Sequence, residues 1–380
     1  MNILVIPDKF KDSLTATQVV RAISSGITKC DKSHQIYSII ASDGGDGFLD
    51  AILQVHPEFE NIDMKTVNPF GKQIKANYLF NPKDQTAYIE LAQASGLALL
   101  KNSERNCNIT STYGTGLQIK HAISKGAKNI YIGLGGSATN DGGTGILSSL
   151  DFKFADKNSK LLSVNGKNLS KIDKIIPPDK DLKNIRFFTV NDVHNLLLGK
   201  QGATYTYAQQ KGASKKDLSL LEKGMKNLFK KSKNINPNLK DTSGFGAAGG
   251  TGFGLSTFLN AKIISGTDFL FQLNNLEDIL KNNKIDLIIT GEGKIDKQTL
   301  HGKFIDGIAQ KSIQYKIPAI VVCGISKLDK KQVNELGIHE VYPIKTEEIS
   351  VSESMQNAYK LIENKVFNIF CNLKNKTSHL

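Results

Sequence analysis

The chain has 380 residues, more than a single hydrophobic core usually serves, so two domains are expected. Hydrophobic residues make up 39% and charged residues 22%, as in ordinary soluble globular proteins. No apolar run reaches the ~20 residues of a membrane-spanning helix. The net charge of +13 comes mainly from scattered lysines, with only three arginines, so it does not indicate a nucleic-acid-binding block.

The first sixty residues alternate between strand and helix patterns. Residues 2–6 and 36–40 are short apolar runs that fit buried strands. A threonine-capped amphipathic helix that ends near residue 28 lies between them, and a helix at 48–55 follows the second run. This alternation is typical of a parallel sheet with crossover helices.

The middle of the chain has a different pattern. Strands at 64–67, 74–80 and 86–91 are separated by Asn-Pro turn signals, which predicts an antiparallel or mixed sheet. The patterns that follow predict a helix to about residue 125, a strand at 129–134, a hairpin at 152–162, a strand at 185–190, and helices at 215–233 and 255–260.

The alternating pattern returns near the end of the chain. It predicts strands at 286–290, 319–322 and 340–343, and helices at 305–314, 329–336 and 351–373. We therefore expect an α/β domain made of residues 1–61 and 285–380. A second α/β domain with a mixed sheet, residues 62–284, is expected to be inserted into it.

Acidic residues follow several predicted strands. They are Asp8, Asp43 with Asp46, Asp192, and Glu292 with Asp296. Ligands of parallel α/β sheets bind beyond the carboxyl ends of the strands, where acids can hold Mg²⁺ or accept a proton from a hydroxyl group. Each acid alone is as well explained by a helix cap or a solvated turn, but the set as a whole predicts a site.

Two glycine-rich stretches are candidate anion-binding loops, at residues 135–143 (GGSATNDGG) and 246–250 (GAAGG). Glycines leave backbone N–H groups open to a phosphate or carboxylate. Residues 133–138 also fit the dinucleotide pattern G-x-G-x-x-A, but the residues after it start a helix poorly. A tight solvated turn is the plainer alternative, and no P-loop motif is present.

Three lysines lie beside glycine or hydroxyl residues in these unusual loops: Lys11, Lys211 and Lys303. Phosphoryl transfer needs positive charge near the transferred group. In so lysine-rich a chain, however, any one lysine is a surface residue by default.

Four separated cysteines form no metal-type pair and are expected to be free thiols. The amino-terminal residues lack the features of a signal peptide, so a cytoplasmic protein is expected.

These motifs, in this order, resemble those of the bacterial-type glycerate kinases over essentially the full chain. The matching segments are PDKFKDSL at 7–14, DGGDG at 43–47, ELAQASGLA at 90–98, STYGTG at 111–116, GGSATNDGG at 135–143, DVHNL at 192–196, QKGA at 210–213, GAAGG at 246–250, and TGEGKID at 290–296 with the QTLHGK that ends at 303. The departures are few: Lys9, Asp12, Asp46, Asn191, His194 and Leu197 replace the family's usual residues.

The resemblance implies ATP-dependent phosphorylation of D-glycerate with Mg²⁺, more often to 2-phosphoglycerate than to 3-phosphoglycerate. It also implies a flavodoxin-like domain with a second domain inserted, and an active site in the cleft between them. The expected partners are the two small substrates, with no nucleic acid and no membrane, in a monomer or homodimer.

We assign hypothetical roles on this basis. Asp192 and Lys11 are the expected catalytic residues, and Glu292 and Asp296 are the expected metal ligands, although the roles of these acids could be exchanged. The residues expected to bind substrate or phosphate are Asp8, Ser13, Asp43, Gly135, Gly136, Ser137, Thr139, Asn140, Asp141, Gly249, Gly250 and Lys303. Which glycine loop binds glycerate and which binds nucleotide is left open.

Three alternatives remain at this point. A kinase for a related hydroxy or sugar acid is the nearest one. An NAD-dependent dehydrogenase would use the dinucleotide pattern, and a non-catalytic sensor would bind a small acid without consuming ATP.

Overall fold

The structure is a computed structural model that describes residues 1–41, 44–45, 47–179, 182–296 and 303–377. The chain divides into two compact units. The first unit contains Met1–Ser42 and Leu270–Leu380, and the second contains Asp43–Phe269. None of the described helices is both long enough and apolar enough to cross a membrane.

The strands of the described residues run in chain order as follows: β1 (Asn2–Val5), β2 (Gln35–Ser38), β3 (Glu60–Val67), β4 (Gln73–Asn81), β5 (Thr86–Glu90), β6 (Asn129–Gly133), β7 (Lys153–Ala155), β8 (Lys174–Ile176), β9 (Arg186–Val190), β10 (Lys262–Ile264), β11 (Leu287–Ile295), β12 (Ala319–Ser326) and β13 (Glu340–Pro343).

The α-helices are α1 (Ala16–Cys30), α2 (Phe48–Val55), α3 (Ala92–Ser95), α4 (Tyr113–Ser124), α5 (Thr144–Ser149), α6 (Ala203–Tyr207), α7 (Lys215–Ser232), α8 (Ala247–Leu259), α9 (Gly266–Leu273), α10 (Leu276–Asn282), α11 (Lys303–Tyr315), α12 (Lys330–Glu335), α13 (Val351–Gln356) and α14 (Ala358–Thr377).

The first unit is built on a five-stranded, wholly parallel sheet in the order β2-β1-β11-β12-β13. This is the flavodoxin-like order, so the α/β prediction is confirmed. Alternate residues of β1, with Ile6 directly after it, face opposite sides of the sheet: Ile3 and Val5 pack with α1 and α14, whereas Leu4 and Ile6 pack with α10, α11 and α12. Because helices cover both faces, the strands are apolar throughout rather than alternating.

The second unit is built on a six-stranded mixed sheet in the order β3-β4-β5-β6-β9-β10. The β3-β4-β5 part is antiparallel, and β5, β6, β9 and β10 are parallel to one another. The predicted mixed sheet is therefore confirmed. The carboxyl ends of β6 and β9 lie side by side in it, since Gly133 pairs with Val190.

The boundaries between the compact units lie at residues 42/43 and 269/270. Both come earlier in the chain than the boundaries of 61/62 and 284/285 that the sequence predicts. At the first boundary, α2 packs on β5 and so groups with the second unit. At the second, Leu276 and Leu280 of α10 are buried in the core of the first unit.

Two predicted elements differ in the structure, and a third has an additional partner. The hairpin predicted at 152–162 is present as a short antiparallel turn, in which Ala155 bridges Leu161 and the Leu162 N–H donates to the Phe154 oxygen (2.9 Å); β7 also pairs with β8, which the sequence did not predict. β11 continues to Ile295 instead of ending near residue 290, because β12 keeps pairing with it as far as Ser326. The helix predicted at 351–373 is two helices, α13 and α14, that meet at Asn357.

Candidate active site

The 135–143 loop of the second unit follows the end of β6 and precedes α5. Its backbone packs very closely on other loops, and two glycines make this possible. A Cβ on Gly135 would lie 2.1 Å from Cα of Gly45, and one on Gly249 would lie 2.0 Å from the backbone oxygen of Thr139. Gly249 also has φ +65°, a value that favours glycine. Since α5 begins only at Thr144, the G-x-G-x-x-A pattern does not open a helix as a dinucleotide site requires.

The loop contains polar groups that lack a partner among the described residues. Backbone N–H groups of Gly136, Ser137, Thr139 and Asn140 donate to no acceptor there. Oγ1 of Thr139 and Oδ1 of Asn140 are buried and equally without a partner. Unpaired buried polar groups are rare because each is energetically unfavourable. A bound anion would satisfy the N–H groups and the Thr139 hydroxyl, whereas the Asn140 oxygen is an acceptor and would need a donor; the N–H groups therefore give the loop the chemistry of an anion site.

Asp141 holds the loop in place. Its Oδ2 accepts hydrogen bonds from the Thr112 N–H (2.8 Å), the Thr112 hydroxyl (2.9 Å) and the Gly145 N–H (3.2 Å). Its Oδ1 accepts one from the Gly143 N–H (3.2 Å). Burial raises the pKa of this carboxyl, and the bonds from Thr112 and the glycines oppose the rise. Asp141 is expected from its motif to bind substrate, but in the structure its carboxylate binds the protein's own backbone and hydroxyl donors.

Lys211 lies beneath the same loop. It ends a short 3₁₀ turn after α6, and only 3% of its surface is exposed. Its Nζ donates to the Ser137 hydroxyl (2.6 Å) and to the Thr139 backbone oxygen (2.9 Å). Burial lowers the pKa of the ammonium group to about 8, whereas Cys107 and Asp141 act in the opposite direction.

The second glycine-rich stretch lies directly against the first. The Gly142 N–H donates to the backbone oxygen of Gly249 (3.0 Å). Ala248, Gly249 and Gly250 all have positive φ, so the regular part of α8 begins only after them, at Thr251. The two stretches predicted to bind anions are therefore packed together within one unit.

Asp192 follows β9 and is half-buried. Its carboxylate accepts hydrogen bonds from the Ser265 hydroxyl (2.8 Å), the Gly266 N–H (3.0 Å) and the Thr267 hydroxyl (3.4 Å). These donors lie at the start of α9, where an acid is favourable. The position of Asp192 is thus fixed by that helix. Three of the hydrogen bonds that its carboxylate can accept are already made within the protein, so less of it is available to a ligand.

The first unit gathers acids at the carboxyl edge of its parallel sheet. The Asp8 N–H donates to the Gly291 oxygen (2.8 Å), which places the end of β1 beside Glu292. Burial raises the pKa of Glu292 to about 7, and the negative charges of Asp8 and Asp296 add to the increase. Asp296 is paired with Lys294 at 2.6 Å.

Lys11 lies beside these acids on a tight loop after β1. The loop is closed by backbone hydrogen bonds between Phe10 and Leu14 (2.9 Å), and the Lys11 side chain is exposed. A Cβ on Gly293 would lie 3.3 Å from the Lys11 nitrogen, so the loop runs next to β11. Ser13 donates its hydroxyl to the Met355 backbone oxygen (2.7 Å).

The acids of the first unit have the chemistry of a Mg²⁺ site that substrate phosphates and water would complete. In the described part of the chain, no three His, Cys, Asp or Glu side chains cluster closely enough to hold a metal alone. Mg²⁺, however, is usually held by one or two carboxylates together with substrate phosphates and water. The pKa of Glu292 is raised chiefly by burial and further by the negative charges of Asp8 and Asp296, and a nearby cation would oppose this rise.

Two of the predicted site residues lie partly or wholly outside the residues that the structure describes. In addition, the site residues predicted from the sequence do not include Lys211. Asp43 and the side chain of Lys303 are not among the described positions. Lys211 stands out in the sequence as a lysine in an unusual loop, yet it is not assigned to the site. Only its burial against Ser137 and Thr139 distinguishes it from the other lysines.

Comparisons with known proteins give a consistent answer. The profile of the glycerate kinase family matches residues 3–374. The chain is 35% identical to a glycerate kinase of Halalkalibacterium halodurans over 97% of each protein. It is also 35% identical to the glycerate 2-kinase of Escherichia coli over 94% of each.

A solved structure agrees with this match. A Salmonella typhimurium LT2 protein, provisionally named glycerate kinase 2, superimposes with a TM-score of 0.81 and 30% identity. The match covers 100% of this chain and 99% of that one. The chain therefore belongs to the glycerate kinase family and is a kinase that transfers a phosphoryl group to an alcohol group.

Proposed function

We propose that the protein phosphorylates D-glycerate with ATP and Mg²⁺, and that the product is 2-phosphoglycerate. The observation that carries the proposal is the 135–143 loop, in which four N–H groups (Gly136, Ser137, Thr139 and Asn140) and the buried Thr139 hydroxyl lack partners among the described residues. Such a loop suits a small, strongly anionic substrate. The choice of the 2-position rests on the 35% identity to the glycerate 2-kinase of Escherichia coli.

Each unit contributes different chemistry in this proposal. In the second unit, the residues from Gly135 to Asn140, with Gly249 and Gly250, bind an anionic group by backbone donors. In the first unit, Asp8, Lys11 and Ser13 form the loop that meets the transferred phosphoryl group. Lys11, whose side chain is exposed, supplies a positive charge that stabilises the negative charge spread over the phosphoryl oxygens during transfer.

Glu292 and Asp296 are the proposed Mg²⁺ ligands. When bound by these carboxylates, the ion would supply positive charge that neutralises part of the charge of the phosphates. Lys294, which pairs with Asp296 at 2.6 Å, holds that carboxylate in position.

Asp192 is proposed to orient the substrate hydroxyl and to accept its proton. Hydrogen bonds from the start of α9 fix the position of this carboxylate. A carboxylate in a fixed position can orient the substrate hydroxyl, which receives the phosphoryl group, and accept its proton. Glu292 is the competing candidate, because a pKa of about 7 suits a general base at neutral pH.

Two variants separate these assignments. If Asp192 receives the proton, Asp192→Asn is expected to lower kcat by about 100-fold without changing the Mg²⁺ concentration that gives half-maximal activity. If Glu292 binds the metal, Glu292→Gln is expected to raise that Mg²⁺ concentration. An Asp192→Asn enzyme with full turnover would reverse the two roles.

Substrate and product together distinguish the proposed reaction from phosphorylation at the 3-position and from phosphorylation of a related acid. ADP release should be measured with D-glycerate, L-glycerate and a set of larger hydroxy and sugar acids. Coupling to enolase alone detects 2-phosphoglycerate, whereas 3-phosphoglycerate needs added phosphoglycerate mutase. We expect D-glycerate to be preferred and enolase alone to suffice. If activity is seen only when the mutase is added, the product is 3-phosphoglycerate. If a larger acid is preferred, that acid and not D-glycerate is the substrate.

A further inference from the structure

We propose that Lys211 is a positioning residue for substrate binding, which turns the donors of the 135–143 loop toward the bound anion and places a positive charge behind them. The ligand is a carboxylate or phosphate of one of the two substrates. This inference rests on the proposed function, since it concerns the anion that the loop would bind.

The first argument is geometric. The Nζ of Lys211 binds the backbone oxygen of Thr139 at 2.9 Å. In a trans peptide the C=O and the following N–H point in opposite directions, and none of the described peptide bonds is cis. The bond from Lys211 therefore directs the N–H of Asn140 away from the lysine. That N–H is one of the donors without an acceptor among the described residues.

The second bond of Lys211 acts on the same loop. Its Nζ also binds the Ser137 hydroxyl at 2.6 Å, so one ammonium group holds the loop at two points. Asp141 fixes the following turn through hydrogen bonds from Thr112 and Gly143. Ser137 and Thr139 are thus held through a hydroxyl and a carbonyl group, while the N–H groups of Gly136, Ser137, Thr139 and Asn140 have no acceptor among the described residues.

The third argument is electrostatic. Across the described residues, no carboxylate oxygen forms an ion pair with Lys211, and both oxygens of the nearby Asp141 are hydrogen-bonded to Thr112 and loop glycines. A buried ammonium without a paired anion is unfavourable. An anion bound by the unpaired N–H groups of the loop would stabilise this charge, and the charge would in turn strengthen anion binding.

The same reasoning predicts that, at alkaline pH, Lys211 takes up a proton when the protein binds the anion. The pKa of Lys211 is lowered to about 8, chiefly by burial, with Asp141 and Cys107 acting in the opposite direction. At pH 9 only about one molecule in ten would carry the protonated lysine, so affinity for the anion should fall about tenfold from its value near pH 7. Cys107 remains protonated over this range, because burial raises the pKa of its thiol to about 11.

The experiment is calorimetric titration of the full-length protein with D-glycerate and, separately, with a non-hydrolysable ATP analogue. Titrations at several pH values between 7 and 10, in buffers of different ionisation enthalpy, measure both affinity and proton uptake. For one of the two ligands we expect about tenfold weaker binding at pH 9 and the uptake of close to one proton. The ligand that shows the effect is the one held by this loop.

Two variants complete the test. Lys211→Met should bind that ligand weakly at every pH and take up no proton, whereas Lys216→Met, which removes an exposed lysine nearby, should behave like the wild type. If Lys211→Met fails to fold, the wild-type proton uptake still decides the matter. Wild-type binding that is strong but independent of pH, or proton uptake that persists in Lys211→Met, would overturn the inference. Wild-type protein that binds neither ligand at any pH would refute the proposed function and the inference with it.

Discussion

Replacing Glu292 with Gln removes a carboxyl group whose ionisation the folded protein resists. In the unfolded chain this group loses its proton near its ordinary pKa of 4.5, but in the folded protein it does so only near pH 7. As the pH rises from 4.5 to 7, ionisation therefore favours the unfolded state progressively, and above pH 7 the full effect is present. Wild-type protein should lose stability relative to Glu292→Gln across this interval.

The size of the effect follows from the two pKa values. They differ by about 2.5, and each pKa unit corresponds to about 1.4 kcal/mol, so the maximum loss is about 3 kcal/mol. Well below pH 4.5 the carboxyl is protonated in both states, and the variant should differ from the wild type only by the exchange of a carboxylic acid for an amide.

Urea unfolding followed by circular dichroism at pH 5 and pH 8 measures the difference. We expect Glu292→Gln to gain about 2 to 3 kcal/mol over the wild type on going from pH 5 to pH 8. The exposed Glu348→Gln variant makes the same change of charge elsewhere in the first unit and serves as the control. Equal stability differences at the two pH values would refute the claim that burial and the neighbouring acids oppose this charge.

Three other outcomes can be measured on the same protein. Asp141→Ala leaves several buried N–H donors unpaired and should lower the free energy of unfolding by roughly 3 kcal/mol; an unchanged melting temperature would contradict its structural role. Gly249→Ala should be far more damaging than Gly71→Ala, because both have positive φ but only Gly249 faces a backbone oxygen at 2.0 Å, and thermal melts of the two variants compare them. The sulfurs of Cys30 and Cys371 lie 2.9 Å apart, so mild oxidation should join them in a disulfide. A proteolytic digest of the oxidised, non-reduced protein should contain the disulfide-linked peptide pair, and its absence would contradict that proximity.

The sequence was most informative where local patterns and folding agree. The apolar runs at 2–6 and 319–322 are buried strands because both faces of their sheet are covered by helices, and the structure shows them as β1 and β12. The glycine-rich stretch at 135–143 could also be recognised, because close backbone packing demands glycine whatever the rest of the fold does.

Other features depend on partners distant in the sequence and could not be read locally. β11 extends through Glu292 because β12 continues beside it, which nothing in the residues around Glu292 indicates. The partner of β7 is β8, beyond an intervening 3₁₀ helix. Lys211 resembles any other lysine until the fold buries it, and Asp141 resembles a substrate ligand until its donors are seen.

The pairing of β1 with β11 has a consequence for how the chain is made. Ile3 pairs with Leu287, so one of the first strands to leave the ribosome must wait for a partner about 280 residues later. At ordinary rates of translation this takes roughly 15 to 60 s. The second unit, in contrast, is one continuous stretch of chain and can fold while the rest is still being synthesised. During that interval the apolar β1 and α1 segments are exposed, and they are where a chaperone would be expected to bind the nascent protein.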